Sequence, residues 1–464
     1  MLKTESLLDV LKENLENDPI KQCGYAMLRA LPLIPVEVIR QASIKINAYP
    51  FSEVPICWRR LYCDANLWKV KDTLRQLDGL LENPDGNFER CWKLLDGAVG
   101  DLDMAVSMTG APLRKLLIEE LLLDLGQLAL DIEVQMGALN GESDQPAKQC
   151  PVPSKYAPGS TSAHPPIKHP IKRANDLSLA AFQSHLDSTN IEQGCPQPLI
   201  ISNSLNNWPA LGDRPWDNPA YLLKHTIGGR RLVPVEIGRS YTSEGWTQKM
   251  MSVREFLEAN MFTANVPPSK RGYLAQHDLF SQVPELRKDI AIPDYCWTSP
   301  PDTAQDVQEL AEPKLNAWIG PAHTVSPAHT DPHHNILAQV VGYKYVRLFA
   351  PDQAKCLYPR GMENGINMSN TSSVDVGMGM RIYEEWTGWD ATDLEEDDRE
   401  EANSEVDDDD EPNAKVFGKE FPLLGNAAYL EGILAPGECL YIPKGWWHYV
   451  RSLSPSFSVS FWWD

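Results

Sequence analysis

The segment SPAHTDPHHN, residues 326–335, runs directly into ILAQVVGYKYVRLFAP, residues 336–351. Together they decide how the second half of this chain folds. The apolar run reads as two β-strands hinged near Gly342, and the polar run before it packs three histidines and an aspartate into six positions. Alternate side chains of an extended segment share a face, so His329 and Asp331 at i and i+2 can reach one ion. A His-x-Asp triplet alone is more often a hydrogen-bonded turn than a metal site. It needs a third ligand and a container.

The candidate third ligand is His448, in GECLYIPKGWWHYV (437–450), where Pro443 and Gly445 make a turn and His448 opens the next strand. Two histidines and one carboxylate on one face leave the opposite coordination positions open, an arrangement suited to non-haem Fe(II) and open to zinc as well. His323, His333 and His334 compete as ligands, with Pro332 standing between the motif and the last two.

The container is read from further short strands. PLIISNSL, RLVPVEIG, KLNAWIG, GECLYIP and SFSVSFWW follow one another from about Leu199, separated by Gly and Pro, which argues for a sandwich or jelly roll. In SFSVSFWW, Phe457, Val459 and Phe461 share one face, and Ser456, Ser458, Ser460 and Trp462 the other. A serine face turned inward leaves room for a ligand beside a metal, with Trp462 as a wall. Turned outward, it is the polar side of an edge strand. Lys344, Val346 and Leu348 share a face of the strand after Gly342. If Lys344 faces a barrel interior it needs an anion; if it sits at the turn it reaches water.

Working outward, the first 140 residues read as helical. Leu67, Val70, Leu74, Leu77 and Leu81 recur at spacings of three and four, one apolar stripe. APLRKLLIEELLLDLGQLALDIEVQ (111–135) is apolar on more than one face, as expected for a helix packed between neighbours. Residues 141–176 are rich in Pro, Ser, Gly and Lys and read as a linker, whose Lys168–Arg173 segment is a weak nuclear-import patch. The expected class is α+β: an all-helical domain at 1–140, the linker, and a jelly-roll domain at 177–464.

The net charge of −22 is unevenly spread. Residues 384–411 hold sixteen acids and one arginine, which leaves the rest of the chain mildly acidic. The insertion at 384–414 has almost no core-forming residues and is expected to be a disordered surface loop. This balance disfavours direct nucleic-acid binding and suits a basic protein tail. Nine scattered cysteines, none spaced Cys-x-x-Cys, point to a reducing compartment. No run of about 18 apolar residues suggests a membrane span, and the N-terminus lacks the pattern of a secretory signal, so the expected location is nuclear or cytoplasmic.

The strings NAWIGPAHTVSPAHTDPHHNILAQVVGYKYVRLFAP and GECLYIPKGWWHYVRSLSPSFSVSFWW, with RGYLAQHDLFSQVPEL, RLVPVEIG and IPDYC, resemble the JmjC-domain oxygenases. The resemblance covers residues 195–464 and favours nuclear placement. It implies a cupin-like double-stranded β-helix with Fe(II), 2-oxoglutarate and O2, and a protein or peptide substrate with a cationic side chain, such as a histone or other basic tail. His329, Asp331 and His448 match the family's iron ligands and would be the catalytic centre. Tyr273, Ser326, Asn335, Lys344 and Trp462 fall on co-substrate positions, with Lys344 on the distal carboxylate. Glu236, Trp246, Gln276 and Trp318 match the substrate wall. The acidic insertion is longer than the family pattern, and HTDPHH departs from it around the ligands.

Glu236 with a stacking tryptophan suits an arginine guanidinium, so the implied reaction is hydroxylation of an arginyl side chain. Removal of lysine N-methyl groups by methyl hydroxylation is the alternative. A non-enzymatic reader or scaffold, acting through its helical half, is a reading from another class. A metallopeptidase lacks support, since no His-Glu-x-x-His places a general base.

Overall fold

A computed structural model describes residues 7, 9–11, 17–50, 53–81, 88–139, 151–157, 166–188, 195–243, 245–301, 309–363, 365–383 and 411–464. The expectation of a disordered acidic loop falls almost wholly outside the described residues; at its end Glu411–Glu420 is helical. The chain forms two compact units. One is Met1–Pro151 with Leu223–Val233 and Ser252–Arg254; the other is Val152–Leu222 with Pro234–Met251 and Glu255–Asp464.

The first unit is built on the helices Pro35–Ile46, Ile56–Leu81, Phe88–Thr109 and Lys115–Leu139. The stripe Leu67, Val70, Leu74 and Leu77 is buried in their common core, with Leu81 at its rim. The polar inclusions are charge-paired: buried Arg60 sits between Asp18 and Asp64, and Arg114 also donates to Asp64 at 3.0 Å. Asp103, fully buried, receives the Arg231 guanidinium at 2.7 Å and the Leu232 amide at 2.7 Å. Lys115–Leu139 differs from the expected sandwiched helix. Ile118, Leu125 and Ile132 are buried, but Leu116, Leu123, Leu130 and Val134 stand on an exposed face. Among the described residues no helix is long and apolar enough to cross a membrane.

The second unit is the sheet-rich domain that the strand pattern anticipates. Its strands are β1 Arg173–Asn175, β2 Leu199–Ser202, β3 Leu232–Ile237, β4 Thr247–Ser252, β5 Gly272–His277, β6 Lys314–Gly320, β7 Val325–His329, β8 His334–Val341, β9 Lys344–Phe349, β10 Met362–Glu363, β11 Ile366–Asn367, β12 Leu430–Leu434, β13 Cys439–Ile442, β14 Trp447–Ser452 and β15 Ser456–Trp463. Nine of them form a sheet in the order β1-β2-β13-β8-β15-β6-β5-β3-β4, and four form a second, β12-β9-β14-β7. Leu337, Leu440 and Ile442 from the large sheet meet Val346, Leu348, Leu434 and Val450 from the small one in a shared core.

Strand β15 shows why its alternation was ambiguous. Both faces are buried. On the outer face Phe457 stacks on Trp216 at 4.3 Å and Phe461 lies against Trp208; burying each phenyl ring is worth about 1.5–3 kcal/mol. On the inner face the serines are hydrogen-bonded: Ser456 to Ser452, Ser458 to Gln339, and Ser460 to the Trp318 indole. The β8–β9 turn needs its glycine. Gly342 has φ +71°, and a Cβ there would lie 2.1 Å from the Pro455 carbonyl oxygen.

Part of the compositional linker is ordered structure. Arg173–Asn175 pairs in parallel with β2, Ile171 is buried, and Arg173 reaches Glu438. The anchor is Glu431 on β12. One of its carboxylate oxygens accepts from the Lys168 amide, and the other from Tyr345 and from Arg347 at 3.1 Å. Arg347 is fully buried and stacks on Tyr429 at 3.9 Å.

Glu431→Ala would leave the Arg347 guanidinium enclosed without its carboxylate. The expected loss of stability is about 3–5 kcal/mol in denaturant unfolding. Glu431→Gln, which keeps the hydrogen-bonding shape but not the charge, should lose less.

Candidate metal centre

Strands β7 and β14 lie antiparallel with His329 opposite His448, so a pair 119 residues apart in sequence is made adjacent by register. Asp331 follows two residues beyond His329, where the chain leaves β7 before Pro332. The candidate ligand atoms of His329, Asp331 and His448 all lie within 4.8 Å of one another. His329 Nε2 is 3.7 Å from one Asp331 oxygen and His448 Nε2 is 3.6 Å from the other.

The surroundings fix which nitrogen faces inward. His329 Nδ1 lies 2.7 Å from the Pro327 carbonyl and His448 Nδ1 lies 3.1 Å from that of Trp446. A carbonyl only accepts, so each ring carries its proton on Nδ1 and leaves Nε2 with a bare lone pair. Burial, aided by the neighbouring His329, lowers His448 to about 4. It is therefore neutral at physiological pH, the state a metal ligand requires. Asn335 donates to Asp331 at 2.9 Å, and the other amide atom, Asn335 Oδ1, is buried and meets no partner among the described residues. The donor set and its vacant lone pairs fit a divalent transition metal with open positions.

The same cavity is lined by Tyr273, Trp318, Ser326, Asn335, Lys344 and Ser460, with Leu337, Ile442 and Val450 as its apolar wall. Lys344 does not reach water from the turn; it is 1% exposed. Its ammonium meets the Tyr273 hydroxyl at 3.3 Å, and burial alone pushes it down to about 7. Leu348, the residue opposite His448, lies four positions along β9 from Lys344, so about 13 Å of strand separates the two polar ends. Burial raises the Tyr273 phenol above its ordinary range.

Other expected positions divide. Glu236 pairs in register with Tyr273, its carboxyl raised by burial and met by the Trp246 indole at 3.4 Å. Trp318 lines the cavity. Gln276 is exposed with φ +48°, and Trp462 stands outside the lining, near Lys314 and His333. The rival histidines have other partners: His323 with Arg451, His333 with Asp464, and His334 with Tyr441.

One residue near the centre carried no sequence signal. Burial raises the Tyr241 phenol, opposed by a hydrogen bond with Thr371, and the nearby charges of Glu236 and Asp331 raise it further. Tyr241 lies in an irregular loop, where no periodicity indicates a direction. Thr371 reaches the site by an isolated bridge to His329.

Comparison with known proteins follows the same outline. Residues 193–464 match the family described as a cupin-like domain. Lysine-specific demethylase 8 of Danio rerio is 34% identical over 420 residues, covering 90% of this chain and 84% of that protein. Lysine-specific demethylase JMJ30 of Arabidopsis thaliana is 35% identical over 385 residues, 79% and 74% of the two chains. Jumonji C domain-containing protein 5 of Drosophila melanogaster is 38% identical over 298 residues, 63% of this chain, which spans 60% of that protein.

The Lys344 environment has a pH signature. Its folded-state value near 7 lies below the ordinary 10.5, so between those limits the unfolded chain binds more protons and ligand-free stability rises with pH, by up to about 1.4 kcal/mol per unit. Lys344→Met should be more stable than wild type at pH 7. Urea unfolding should find the gap closing towards pH 10.

Proposed function

The chain belongs to the cupin-like family of JmjC proteins, and on that premise we propose that it is an Fe(II)- and 2-oxoglutarate-dependent protein oxygenase that hydroxylates an arginyl side chain. JmjC proteins are 2-oxoglutarate oxygenases. The observation that carries the reading here is the pairing, in one cavity, of a His-Asp-His cluster with a buried lysine whose hydrogen-bond partner is a tyrosine.

His329, Asp331 and His448 would hold the iron through the two bare Nε2 atoms and the carboxylate. Iron bound there supplies the activation of O2 that accompanies oxidative decarboxylation of 2-oxoglutarate to succinate and CO2. Lys344 receives the far carboxylate of the co-substrate. An anion beside it restores the ammonium that burial disfavours, so charge and binding reinforce one another. Tyr273 donates its hydroxyl to the same carboxylate, and its raised pKa keeps that proton in place. Asn335 fixes Asp331, while Leu337, Ile442 and Val450 exclude water.

Beside Tyr273 of the cavity wall, Glu236 and Trp246 favour a cation. A carboxylate accepts a guanidinium fork bidentately, and an indole face stacks on its plane. The half-exposed Trp246 tethered to Glu236 is the support for arginine. Two relatives are named as lysine-specific demethylases, which favours a second reading in which a methylated lysine occupies the same clamp. The protein would meet its basic substrate in the nucleus or the cytoplasm.

Incubation with Fe(II), 2-oxoglutarate and mixed peptides bearing arginine or N-methyl-lysine separates the two. Arginyl hydroxylation adds the mass of one oxygen atom to an arginine peptide. Demethylation removes one methylene and releases formaldehyde. Glu236→Ala should cut kcat/KM for the peptide at least tenfold, about 1.4 kcal/mol of transition-state binding. Succinate formation by a variant lacking His448 would contradict the assigned centre.

A further inference from the structure

Residues of β14 divide between two cavities. His448 and Val450 line the first; Tyr449 and Arg451 line a second, of about 170 Å3, with Val325 and Pro327 of β7. Among the described residues, four arginines line this second cavity, Arg239, Arg271, Arg360 and Arg451, with one acid, Asp375. In a chain of net charge −22 this is a strong local reversal of sign.

Two of the arginines are built in. Arg271 and Arg451 are 4% and 6% exposed. Arg271 donates to the His323 carbonyl at 3.1 Å and to the Val266 carbonyl at 3.2 Å, which fixes its plane. Arg451 donates to His323 Nδ1 at 2.9 Å. A guanidinium only donates, so His323 accepts at Nδ1. Ser240, Thr242 and Ser243 of the loop after β3 also line it, the Ser240 hydroxyl bonded to those of the other two. Asp375 lies 3.2 Å from Arg239 and Glu363 3.4 Å from Arg360. Both acids are nearly half exposed, so water screens much of their effect.

We propose that this cavity is an anion site that takes a phosphoryl group, carried by a small phosphate compound or by a phosphorylated residue. The guanidinium fork matches phosphate geometry. Donors converge from separate segments, as a group with three acceptor oxygens and a charge of about −1.5 to −2 can use. A carboxylate, with two oxygens and one charge, would use fewer of them. The site stands apart from the oxygenase reading, because its walls are the residues of β7 and β14 that do not line the first cavity.

Isothermal titration of the full chain with inorganic phosphate tests it. Wild type should bind one phosphate saturably. Arg239→Gln, at an exposed position that leaves the fold intact, should weaken binding several-fold, and Arg451→Gln should remove it. Asp375→Asn should tighten binding several-fold, a gain that unfolding cannot mimic. Asparagine still caps the helix Val376–Ile382, where Asp375 now accepts from the Met378 amide. Lys344→Met, in the other cavity, should leave phosphate binding unchanged. A phosphoserine peptide binding more tightly than both inorganic phosphate and its unphosphorylated form assigns the source to a protein; inorganic phosphate binding as well or better assigns it to a small compound. No saturable phosphate binding by wild type would overturn the proposal. So would binding that responds to Lys344→Met but not to Arg239→Gln and Asp375→Asn.

Discussion

The β-rich unit depends on one pairing, β7 against β14, with His329 set opposite His448. That register lets Asp331, two residues further on, meet both imidazoles. A slip of one residue would turn His448 away and bring Tyr449 in its place, because alternate residues of a strand face opposite sides. The neighbours of β14 hold the register. On one side β9 pairs with it from Trp447 to Ser452, and on the other the irregularity between His448 and Val450 absorbs the departure from ideal pairing. The same backbone supplies the carbonyls of Pro327 and Trp446 that orient the two rings.

Electrostatics distinguish the two buried faces of β9. Arg347 is neutralised by Glu431 and covered by Tyr429, so it serves packing. Lys344, on the same strand and equally buried, has a phenol for a neighbour and, among the described residues, no paired carboxylate. A protein that spends stability on such a cation gains a place where a dianionic ligand is held at its far end. The contrast between these two cations, on opposite faces of one strand, is the clearest physical mark of function here.

Much of this was legible from the sequence because strands alternate and glycines mark turns. Gly342 separated two apolar runs, and the adjacent strands β8 and β9 are what formed. His-x-Asp followed by a remote histidine was readable because an extended segment puts i and i+2 together. What the pattern could not carry was which face of a doubly buried strand is inner. Ser460 lines the cavity while Trp462, on the same face of β15, lies beyond the lining towards Lys314 and His333. Residues in loops were less legible still. Tyr241 approaches Glu236 and Asp331 from a stretch without period, and Gln276 sits at positive φ just where β5 pairs irregularly with β6. Composition was silent at two points. The Pro- and Lys-rich segment gains a strand through Ile171 and the Glu431 carboxylate, because tertiary contacts outweigh local propensity. Lys115–Leu139 keeps leucines exposed that its apolar pattern alone would bury.

The central claim is that one cavity holds a metal on His329, Asp331 and His448 and a keto diacid reaching to Lys344. The most direct measurement is an anaerobic titration of the protein with Fe(II) and 2-oxoglutarate, following the visible charge-transfer absorption of the chelated keto acid. Wild type should develop the band, His448→Ala should not, and Lys344→Met should need much more 2-oxoglutarate to reach it. A band of equal strength and affinity in all three proteins, or none in wild type, would contradict the account.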